Sequence, residues 1–254
     1  MSNWSDPQPG SRFADVDGLR IHFKHAGKGP AVVLLHGSAS SLHHFEQVAA
    51  MLSDSFDVIR LDLPGFGLTG PRADRDYRIP AYASAVARFM EMLCVNEYAV
   101  AGNSLGGNIA VTQTLPTPVW APPARLILLS PWLDITMSNP GIAQIAPRDP
   151  WLSPAGLIEC GRAWAGGDDP RDPRLSPING PLAGLPPLDL FTGTAEIFRP
   201  DVRLLAQRAT DAGIPVRLTE ADGAFNVCPL APVPQARTAV ESLVHAVAEP
   251  APTR

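Results

Sequence analysis

The chain alternates short apolar runs with segments of helical periodicity. The apolar runs are typical of strands buried on both faces of a parallel sheet. They cover residues 31–35, 57–61, 97–101, 125–129, 188–191 and 216–220, and helical patterns occur at 42–52, 80–93, 200–212 and 234–248. Strands that alternate with helices predict right-handed β-α-β units. We therefore expect an α/β fold with a mostly parallel central sheet and helices on both faces.

Two regions depart from this alternation. Residues 12–25 alternate apolar and polar positions around Asp17-Gly18, which predicts an antiparallel hairpin. Residues 131–186 are rich in Pro and Trp and are predicted to be irregular. Within them, residues 132–165 are expected to form a small cap or pocket segment. No repeat or composition break divides the chain, so residues 1–254 are expected to form a single domain.

A serine stands where one of the predicted strands breaks into a helix. The stretch is Gly102-Asn103-Ser104-Leu105-Gly106, which has the G-x-S-x-G pattern of a nucleophile elbow. In such a turn the flanking glycines are required, because a side chain there would collide with the neighbouring strand or helix. The bare pattern also occurs in ordinary Gly/Ser-rich loops, and its position between a strand and a helix favours the elbow.

Composition narrows the class of protein. The 254 residues carry a formal net charge of −5 without a basic run, which disfavours nucleic acid or an anionic membrane as the partner. The three cysteines are scattered, and no His, Cys or carboxylate spacing indicates a metal site. The N-terminus lacks an apolar signal core, and no segment approaches the length of a membrane span. We expect a cytoplasmic protein without metal or cofactor.

Several motifs together carry a family resemblance. They are His36-Gly37-Ser38, Asp62-Leu63-Pro64-Gly65-Phe66-Gly67, the elbow itself, Leu129-Ser130-Pro131-Trp132-Leu133-Asp134, and Gly193-Thr194-Ala195-Glu196. With them the chain resembles the α/β-hydrolase superfamily over nearly its full length. The front half is similar to the general fold-1 hydrolases and the back half to hormone-sensitive-lipase-like esterases. The sequence is thus a chimera-like mosaic that changes character between Gly107 and Arg125.

Two departures accompany the second likeness. Those esterases carry His-Gly-Gly-Gly where this chain has His36-Gly37-Ser38-Ala39, and they have a longer N-terminal cap. The cleft is therefore expected to be open on one side.

The resemblance implies a role for each site residue. Ser104 becomes the nucleophile, and the backbone N–H groups of Leu105 and Ser38 become the oxyanion hole. Glu196 takes the position of the acid, for which Glu is acceptable. A solvated loop carboxylate is the alternative interpretation of Glu196, and Asp201 is then the fallback acid.

The general base is missing from its expected place. The catalytic histidine of similar esterases follows the last strand, and Asn226 stands at that position. An amide has no protonation equilibrium near neutral pH and cannot carry the serine proton. We expect Asn226 to hydrogen-bond Glu196 and to leave a gap beside Ser104. Either His43 or His44 could substitute as the base, although a helix-surface pair is the more ordinary interpretation.

The other histidines are assigned structural or surface roles. His36 is expected to hold its own loop through a backbone hydrogen bond, and His245 to lie on the surface. Cys228 lies near the site but has no histidine nearby to activate it.

The substrate pocket is predicted from the cap segment. Trp132, Leu133 and Trp164 are expected to supply an apolar wall suited to a short or medium acyl ester, or else simply to pack the segment onto the sheet. The first functional hypothesis is a serine carboxylesterase acting on a small-molecule ester, weakened by Asn226. The second is a catalytically silent relative that binds an acyl compound or a partner. A deliberate substitution at Asn226 in an otherwise active enzyme is a third, and the oligomeric state stays open.

Overall fold

The computed structural model of the protein describes residues 9–112, 114, 123–227, 230 and 234–248. Eight strands form one sheet in the order β1-β2-β4-β3-β5-β6-β7-β8. The strands are β1 (Ser11–Val16), β2 (Leu19–Ala26), β3 (Ala31–Leu35), β4 (Asp57–Leu61), β5 (Tyr98–Asn103), β6 (Arg125–Leu129), β7 (Leu188–Gly193) and β8 (Val216–Ala221). Strands β3 to β8 run parallel, which confirms the predicted fold class.

The helices are α1 (Glu46–Leu52), α2 (Ile79–Met92), α3 (Leu105–Thr112), α4 (Ile142–Ile145), α5 (Pro154–Ala165), α6 (Arg199–Asp211) and α7 (Pro234–Ala248). Helices α1 to α6 lie between strands along the chain, and α7 follows β8. The predicted helix at 42–52 is confirmed in part, since its first turn, Leu42–Phe45, is a 3-10 helix that leads into α1.

The N-terminal hairpin forms as its alternation predicted. Val16 pairs with Leu19 across a two-residue turn, and β2 then pairs antiparallel with β4. Asp17 and Gly18 both have positive φ, at 52° and 81°. That backbone matches the right-handed twist of the two strands, and Gly reaches it without steric cost.

Two hydrophobic clusters cover the two faces of the sheet. Val33 and Leu35 of β3 point into the larger cluster, which includes side chains of α2, α3 and α6. Val32 and Leu34 of the same strand point into the other, which includes side chains of α1 and α7. Successive side chains of a strand face opposite sides, so a strand covered by helices on both faces is apolar throughout. The continuous apolar run predicted this arrangement.

The segment between β6 and β7 contains more regular structure than its composition predicted. Helix α5 runs for 12 residues inside the stretch expected to be irregular. Ser153 caps its start by accepting a hydrogen bond from the Gly156 N–H, and Pro154 occupies the first turn. Gly166 ends it in the left-handed conformation, with φ 59°. These cap residues are readable in the sequence, and the many prolines around them obscured the signal.

Candidate active site

Ser104 occupies a sharp turn between β5 and α3. Its φ is 49°, a left-handed conformation that a non-glycine residue adopts at a cost. Its N–H donates to the Leu129 carbonyl oxygen at 3.1 Å, and its own carbonyl oxygen accepts from the N–H groups of Asn108 and Trp132. These hydrogen bonds to β6, to the segment after it and to α3 hold the turn. Ser104 is 9% exposed, so its hydroxyl lies in a nearly closed site.

Two glycines permit this turn because backbone atoms approach them closely. A Cβ atom on Gly102 would lie 2.4 Å from the Gly106 carbonyl oxygen. One on Gly106 would lie 2.2 Å from the Leu35 carbonyl oxygen at the end of β3. Real Cβ atoms are not found that close to a backbone oxygen, so any side chain would force the strand and helix apart. The steric reason given for these glycines from the sequence is confirmed.

The loop after β3 lies directly beside Ser104. A Cβ atom on Gly37 would lie 3.2 Å from the Ser104 Cβ atom. Ser38 follows Gly37 and is exposed, whereas Leu105 is the first residue of α3. The first N–H groups of a helix have no partner within the helix. The N–H of Leu105 therefore has no partner within α3, and donation to an oxyanion by Leu105 and by Ser38 stays a prediction.

His36 holds this loop, as predicted. Its Nδ1 lies 2.7 Å from the Gly37 carbonyl oxygen, and its Nε2 accepts a hydrogen bond from the Leu63 N–H at 2.9 Å. Burial lowers the pKa of His36. A neutral ring with its proton on Nδ1 donates to Gly37 and accepts from Leu63. His36 therefore links the loops after β3 and β4 by hydrogen bonds.

Asp62 stabilises the loops near the site by hydrogen bonds, a role that was not predicted from the sequence. Its carboxylate accepts from the N–H groups of Leu42 and Leu68, and it lies 2.7 Å from the Nδ1 of His22. Burial acts to raise the pKa of Asp62, but these hydrogen bonds outweigh it and the net shift is downward. The buried charge thereby fixes the start of the turn before α1. The motif that contains Asp62 was visible, but its partners were not.

Glu196 is fully buried at the end of the loop after β7. Its Oε2 accepts a hydrogen bond from the Ser130 hydroxyl at 2.7 Å, and its Oε1 accepts from the Thr192 hydroxyl at 2.6 Å. Burial raises the pKa of Glu196 to about 7, although both hydroxyl groups act in the opposite direction. At 0% exposure, Glu196 is not the solvated loop carboxylate of the alternative interpretation.

Asn226 lies in the loop after β8, and the expected hydrogen bond from it to Glu196 is not formed. The side chain is 6% exposed, and its Oδ1 atom has no hydrogen-bond partner among the described residues. The donors to Glu196 are instead the Ser130 and Thr192 hydroxyl groups and the backbone of Gly193, which the fold brings around this carboxyl group. That part of the sequence prediction is wrong.

Ser130 connects the acid loop to the Asn226 loop. Its hydroxyl donates to Glu196 and accepts a hydrogen bond from the Val227 N–H at 3.0 Å. Its own N–H donates to the Phe191 carbonyl oxygen, and its φ is 46°. The sequence motif contained Ser130 without assigning it a role. The contacts with Glu196 and Val227 give Ser130, at the end of β6, a structural role that the sequence alone did not indicate.

The predicted pocket wall divides into core and surface residues. Trp132 and Leu133 are 1% and 0% exposed and belong to the larger hydrophobic cluster. The Trp132 ring packs on Trp164 and Phe198, with centroid distances of 4.9 and 5.9 Å. Packing is therefore what the structure shows for Trp132, and contact of Trp132 and Leu133 with substrate stays a prediction.

Trp164 lies beside the loop after β4. It lines a cavity of about 360 Å³ together with Phe66, Tyr77 and Tyr82. The Phe66 ring contacts the His36 ring, with centroids 5.5 Å apart, so this cavity neighbours the oxyanion loop. A second cavity, of about 790 Å³, lies at the other end of the strands, where they begin. Its lining includes Ala31 and Tyr98 and does not include Ser104.

An exposed aromatic pair lies above the acid loop. Trp151 is 62% exposed, and its ring contacts Phe225 with centroids 6.0 Å apart. Asp149 ties this segment down, because its Oδ1 accepts from the Trp151 N–H and its Oδ2 from the Ile197 N–H. The pair therefore lies next to both Glu196 and Asn226, a position that the sequence interpretation did not predict.

The two candidate replacement bases have different surroundings. His43 lies 3.4 Å from Glu46, which also pairs with Arg60. The Nδ1 of His44 lies 3.2 Å from the Ser40 hydroxyl, and burial lowers the pKa of His44. None of these contacts involves Ser104. Substitution by either histidine stays a prediction.

Three further expectations concern His245, Cys228 and metal binding. His245 is exposed, as expected, and Cys228 lies outside the described residues. In the part of the chain that the structure describes, no cluster of three His, Cys, Asp or Glu side chains could hold a metal ion. No described helix is both long and apolar enough to span a membrane.

Comparison with known families shows to which family the chain belongs. Residues 81–230, which include the elbow, Glu196 and Asn226, match the model of a family described as having the alpha/beta hydrolase fold. The chain belongs to this family. Its fold is similar to that of an esterase from the bacterial hormone-sensitive lipase family, with a TM-score of 0.79 and 23% identity over 95% of this chain and 85% of the other. An esterase/lipase from an uncultured bacterium gives a TM-score of 0.78 at 20% identity, covering 94% and 85%.

Curated relatives of this alpha/beta hydrolase share parts of its sequence. An acetyl-hydrolase of Streptomyces hygroscopicus is 36% identical over half of this chain and 44% of its own length. A triacylglycerol lipase of Mycobacterium tuberculosis is 26% identical over 74% of this chain and 39% of its own length. The chain thus covers less than half the length of either relative.

Proposed function

We propose that the protein is a carboxylic-ester hydrolase that uses Ser104 as its nucleophile. The observation that carries the proposal is the geometry of the elbow, where Ser104 at φ 49° follows β5 directly and precedes the first residue of α3. That N–H, from Leu105, and the N–H of Ser38 are the proposed oxyanion donors. The names of the curated acetyl-hydrolase and lipase relatives support the same reaction class.

The reaction follows the usual two steps. The Ser104 hydroxyl oxygen attacks the ester carbon, the oxyanion is held by backbone N–H groups, and the alcohol leaves when it receives the serine proton. Water then hydrolyses the acyl-enzyme. Both steps need a group that accepts and returns a proton, and Asn226 cannot do so. Loss of the base from such a triad lowers turnover by roughly a millionfold, so we propose weak activity for this chain.

The remaining details of the proposal concern substrate and context. Apolar side chains of residues 132–165 favour a short or medium acyl group, and this segment is the proposed cap of a single hydrolase domain. A cytoplasmic location is part of the proposal, because the three cysteines are scattered along the chain and suit a reducing compartment. A catalytically silent binding protein is the second candidate, which Asn226 favours because an amide at the position of the base cannot carry the serine proton.

The test compares three forms of the chain in hydrolysis of short p-nitrophenyl esters. Asn226→His is expected to exceed the unmodified chain by about a hundredfold or more, because it restores a general base. Ser104→Ala in the same background should abolish the gain. An activated phosphonate should label Ser104 in the unmodified chain but not in Ser104→Ala.

Two results would overturn the proposal in different ways. Good Ser104-dependent turnover by the unmodified chain would show that another base acts, with His43 and His44 as the candidates. No turnover by either form and no labelling of Ser104 would instead support the binding protein.

A further inference from the structure

A second set of serine, histidine and carboxylate side chains comes together on other strands of the sheet. The His22 Nε2 atom lies 2.8 Å from the Ser11 hydroxyl oxygen, and the His22 Nδ1 atom lies 2.7 Å from the Asp62 Oδ2 atom. Ser11 is in β1, His22 is in β2, and Asp62 directly follows β4. His22 and Asp62 are buried, whereas Ser11 is partly exposed. A hydroxyl group bonded to a base that a third group orients is the arrangement of an activated nucleophile.

The partners of Asp62 decide which nitrogen of His22 carries the proton. Besides its contact with His22, the Asp62 carboxylate accepts from the N–H groups of Leu42 and Leu68. Burial acts to raise the pKa of Asp62, but these hydrogen bonds outweigh it and the net shift is downward. An ionised carboxylate is an acceptor only, so the neutral His22 ring carries its proton on Nδ1. The Nε2 lone pair then accepts the hydrogen bond that the Ser11 hydroxyl donates.

The backbone of His22 is fixed on the side away from β1. Its N–H donates to the Thr69 hydroxyl oxygen at 2.9 Å, and its carbonyl oxygen accepts from the Asp62 N–H at 2.9 Å. The Phe13 ring packs against the His22 ring, with centroids 5.1 Å apart. These contacts hold the imidazole in place between Ser11 and Asp62.

The same contacts show where the Ser11 N–H points. Because His22 uses both of its backbone groups away from β1, its pair with Phe13 is not a hydrogen-bonded one. The two kinds of pair alternate along an antiparallel ladder, so the pair of Ser11 with Lys24, two positions further, is of the same kind. The Ser11 N–H therefore points away from β2, and β1 is the edge strand of the described sheet. A backbone N–H beside a nucleophile can stabilise an oxyanion that forms there.

We propose that Ser11 is a second activated serine, which accepts the acyl group of an activated ester or the phosphonyl group of a fluorophosphonate. His22 acts as the general base, Asp62 orients it, and the Ser11 N–H stabilises the oxyanion. The inference does not depend on the proposed function of Ser104. It assigns a serine with a histidine partner to a chain that has Asn226 at the predicted position of the base.

The covalent step balances without a cofactor. As the bond from the Ser11 oxygen to the acyl carbon forms, the His22 Nε2 lone pair takes the serine proton. The bond from the acyl carbon to the oxygen of an aryl ester breaks, and the phenolate leaves with the electron pair. The imidazolium then releases its proton to water. With a fluorophosphonate, the new bond forms to phosphorus and fluoride leaves.

The test treats the Ser104→Ala variant with a fluorophosphonate and locates the adduct by tandem mass spectrometry. This background removes the nucleophile of the proposed esterase. Ser55 and Ser84 are exposed and have no hydrogen bond to a histidine among the described residues, so they measure the reactivity of ordinary serines. Because general-base assistance is worth about a hundredfold or more, Ser11 should be labelled faster than either by that factor. Adding Ser11→Ala should leave no adduct at this position.

A matched variant tests the base. His22→Gln keeps an amide that can donate to Asp62 and accept from Ser11, but the amide cannot take a proton. Labelling of Ser11 should fall by about a hundredfold in this variant, and urea unfolding establishes that the variant is folded.

A substitution at Ser11 gives a second measurement that leaves His22 in place. In Ser11→Cys the introduced thiol would lie beside the imidazole, which favours the reactive thiolate. Cys94 and Cys160 are exposed free cysteines and serve as comparators in the same chain. We expect the introduced thiol to react with iodoacetamide about tenfold or more faster than either of them.

Three results would each overturn the inference. They are labelling of Ser11 no faster than that of Ser55 and Ser84, undiminished labelling in folded His22→Gln, and ordinary reactivity of the thiol in Ser11→Cys. The esterase proposal is decided separately, by labelling of Ser104 in the unmodified chain and by the activity of Asn226→His.

Discussion

The surroundings of Ser104 and those of Glu196 are held by different kinds of contact. Around Ser104 the contacts are between backbone atoms, with Gly102 and Gly106 allowing β3, β5 and α3 to approach closely. Around Glu196 they are side-chain hydrogen bonds from Ser130 and Thr192 to a buried carboxylate. Backbone packing tolerates no added atom, whereas a side-chain network can keep its shape when one member changes. The turn around Ser104 and the surroundings of Glu196 should therefore respond differently to substitution.

We expect the largest effect on stability from a substitution that crowds the turn around Ser104. Gly106→Ala places a Cβ atom 2.2 Å from the Leu35 carbonyl oxygen and 2.7 Å from that of His36. Both neighbours are backbone atoms in a buried strand end, so the free energy of unfolding should fall by about 3 kcal/mol or more. Urea unfolding measures this change.

A second glycine provides the control for this prediction. A Cβ atom on Gly70 would have no neighbour within 4 Å, and the φ of Gly70 is not positive, so Gly70→Ala should leave the free energy of unfolding nearly unchanged. Similar losses in both variants would show that the effect is not steric crowding at the elbow.

The free energy of unfolding should depend on pH through Glu196. Burial raises the pKa of Glu196 to about 7 from a usual value of 4.5. The folded state therefore favours the protonated acid, and this stabilisation is fully present below about pH 4.5 and is lost as pH rises through about 7. Relative to Glu196→Gln, the unmodified chain should lose about 3 kcal/mol between about pH 4.5 and pH 8.

The measurement is urea unfolding of both forms across that pH range. Burial also raises the pKa of Asp201 to about 6, but its contribution is shared by both forms and cancels in the difference. A difference that stays constant with pH would show that Glu196 keeps an ordinary pKa and that its surroundings do not disfavour its charge.

A smaller effect should distinguish the two hydroxyl groups on Glu196. Ser130→Ala removes the donor to Glu196 and also leaves the Val227 N–H without its acceptor, so it should cost about 2 kcal/mol. Thr192→Val removes one donor only and should cost about 1 kcal/mol. Urea unfolding ranks the two, and in the Asn226→His background ester hydrolysis should fall further with Ser130→Ala. Equal effects on both measurements would mean that Ser130 does not organise the Asn226 loop.

The parts of the site that could be predicted depend on residues close together in the chain. The elbow is a run of five residues, and its strand, turn and helix are adjacent in sequence. His36 was assigned to its own loop, and its contact with Gly37 is between neighbours. In both cases local pattern and chemistry were sufficient. The assignment of Asn226 to the position of the base also comes from a local motif, and it stays a prediction.

The parts that could not be predicted depend on distant pairs. Ser130 and Glu196 are 66 positions apart, and Ser130 and Val227 are 97 apart. The hydrogen bond expected between Asn226 and Glu196 is not formed, and the sequence did not indicate that Ser130 donates to Glu196 instead. The burial of Trp132 was equally undecided, since an apolar residue in a pocket and one in the core look the same in a linear pattern.

Hydrophobic periodicity and the Ser104 motif by themselves determined the α/β class, the strand positions and the nucleophile candidate. These properties follow from side-chain period and from turn geometry, which act within a few residues. Only the tertiary structure decided which groups hold Glu196, which aromatic residues face solvent and that the Asn226 oxygen is left without a partner among the described residues. Those outcomes are set by which distant segments share space and by how buried polar atoms are divided among the available donors.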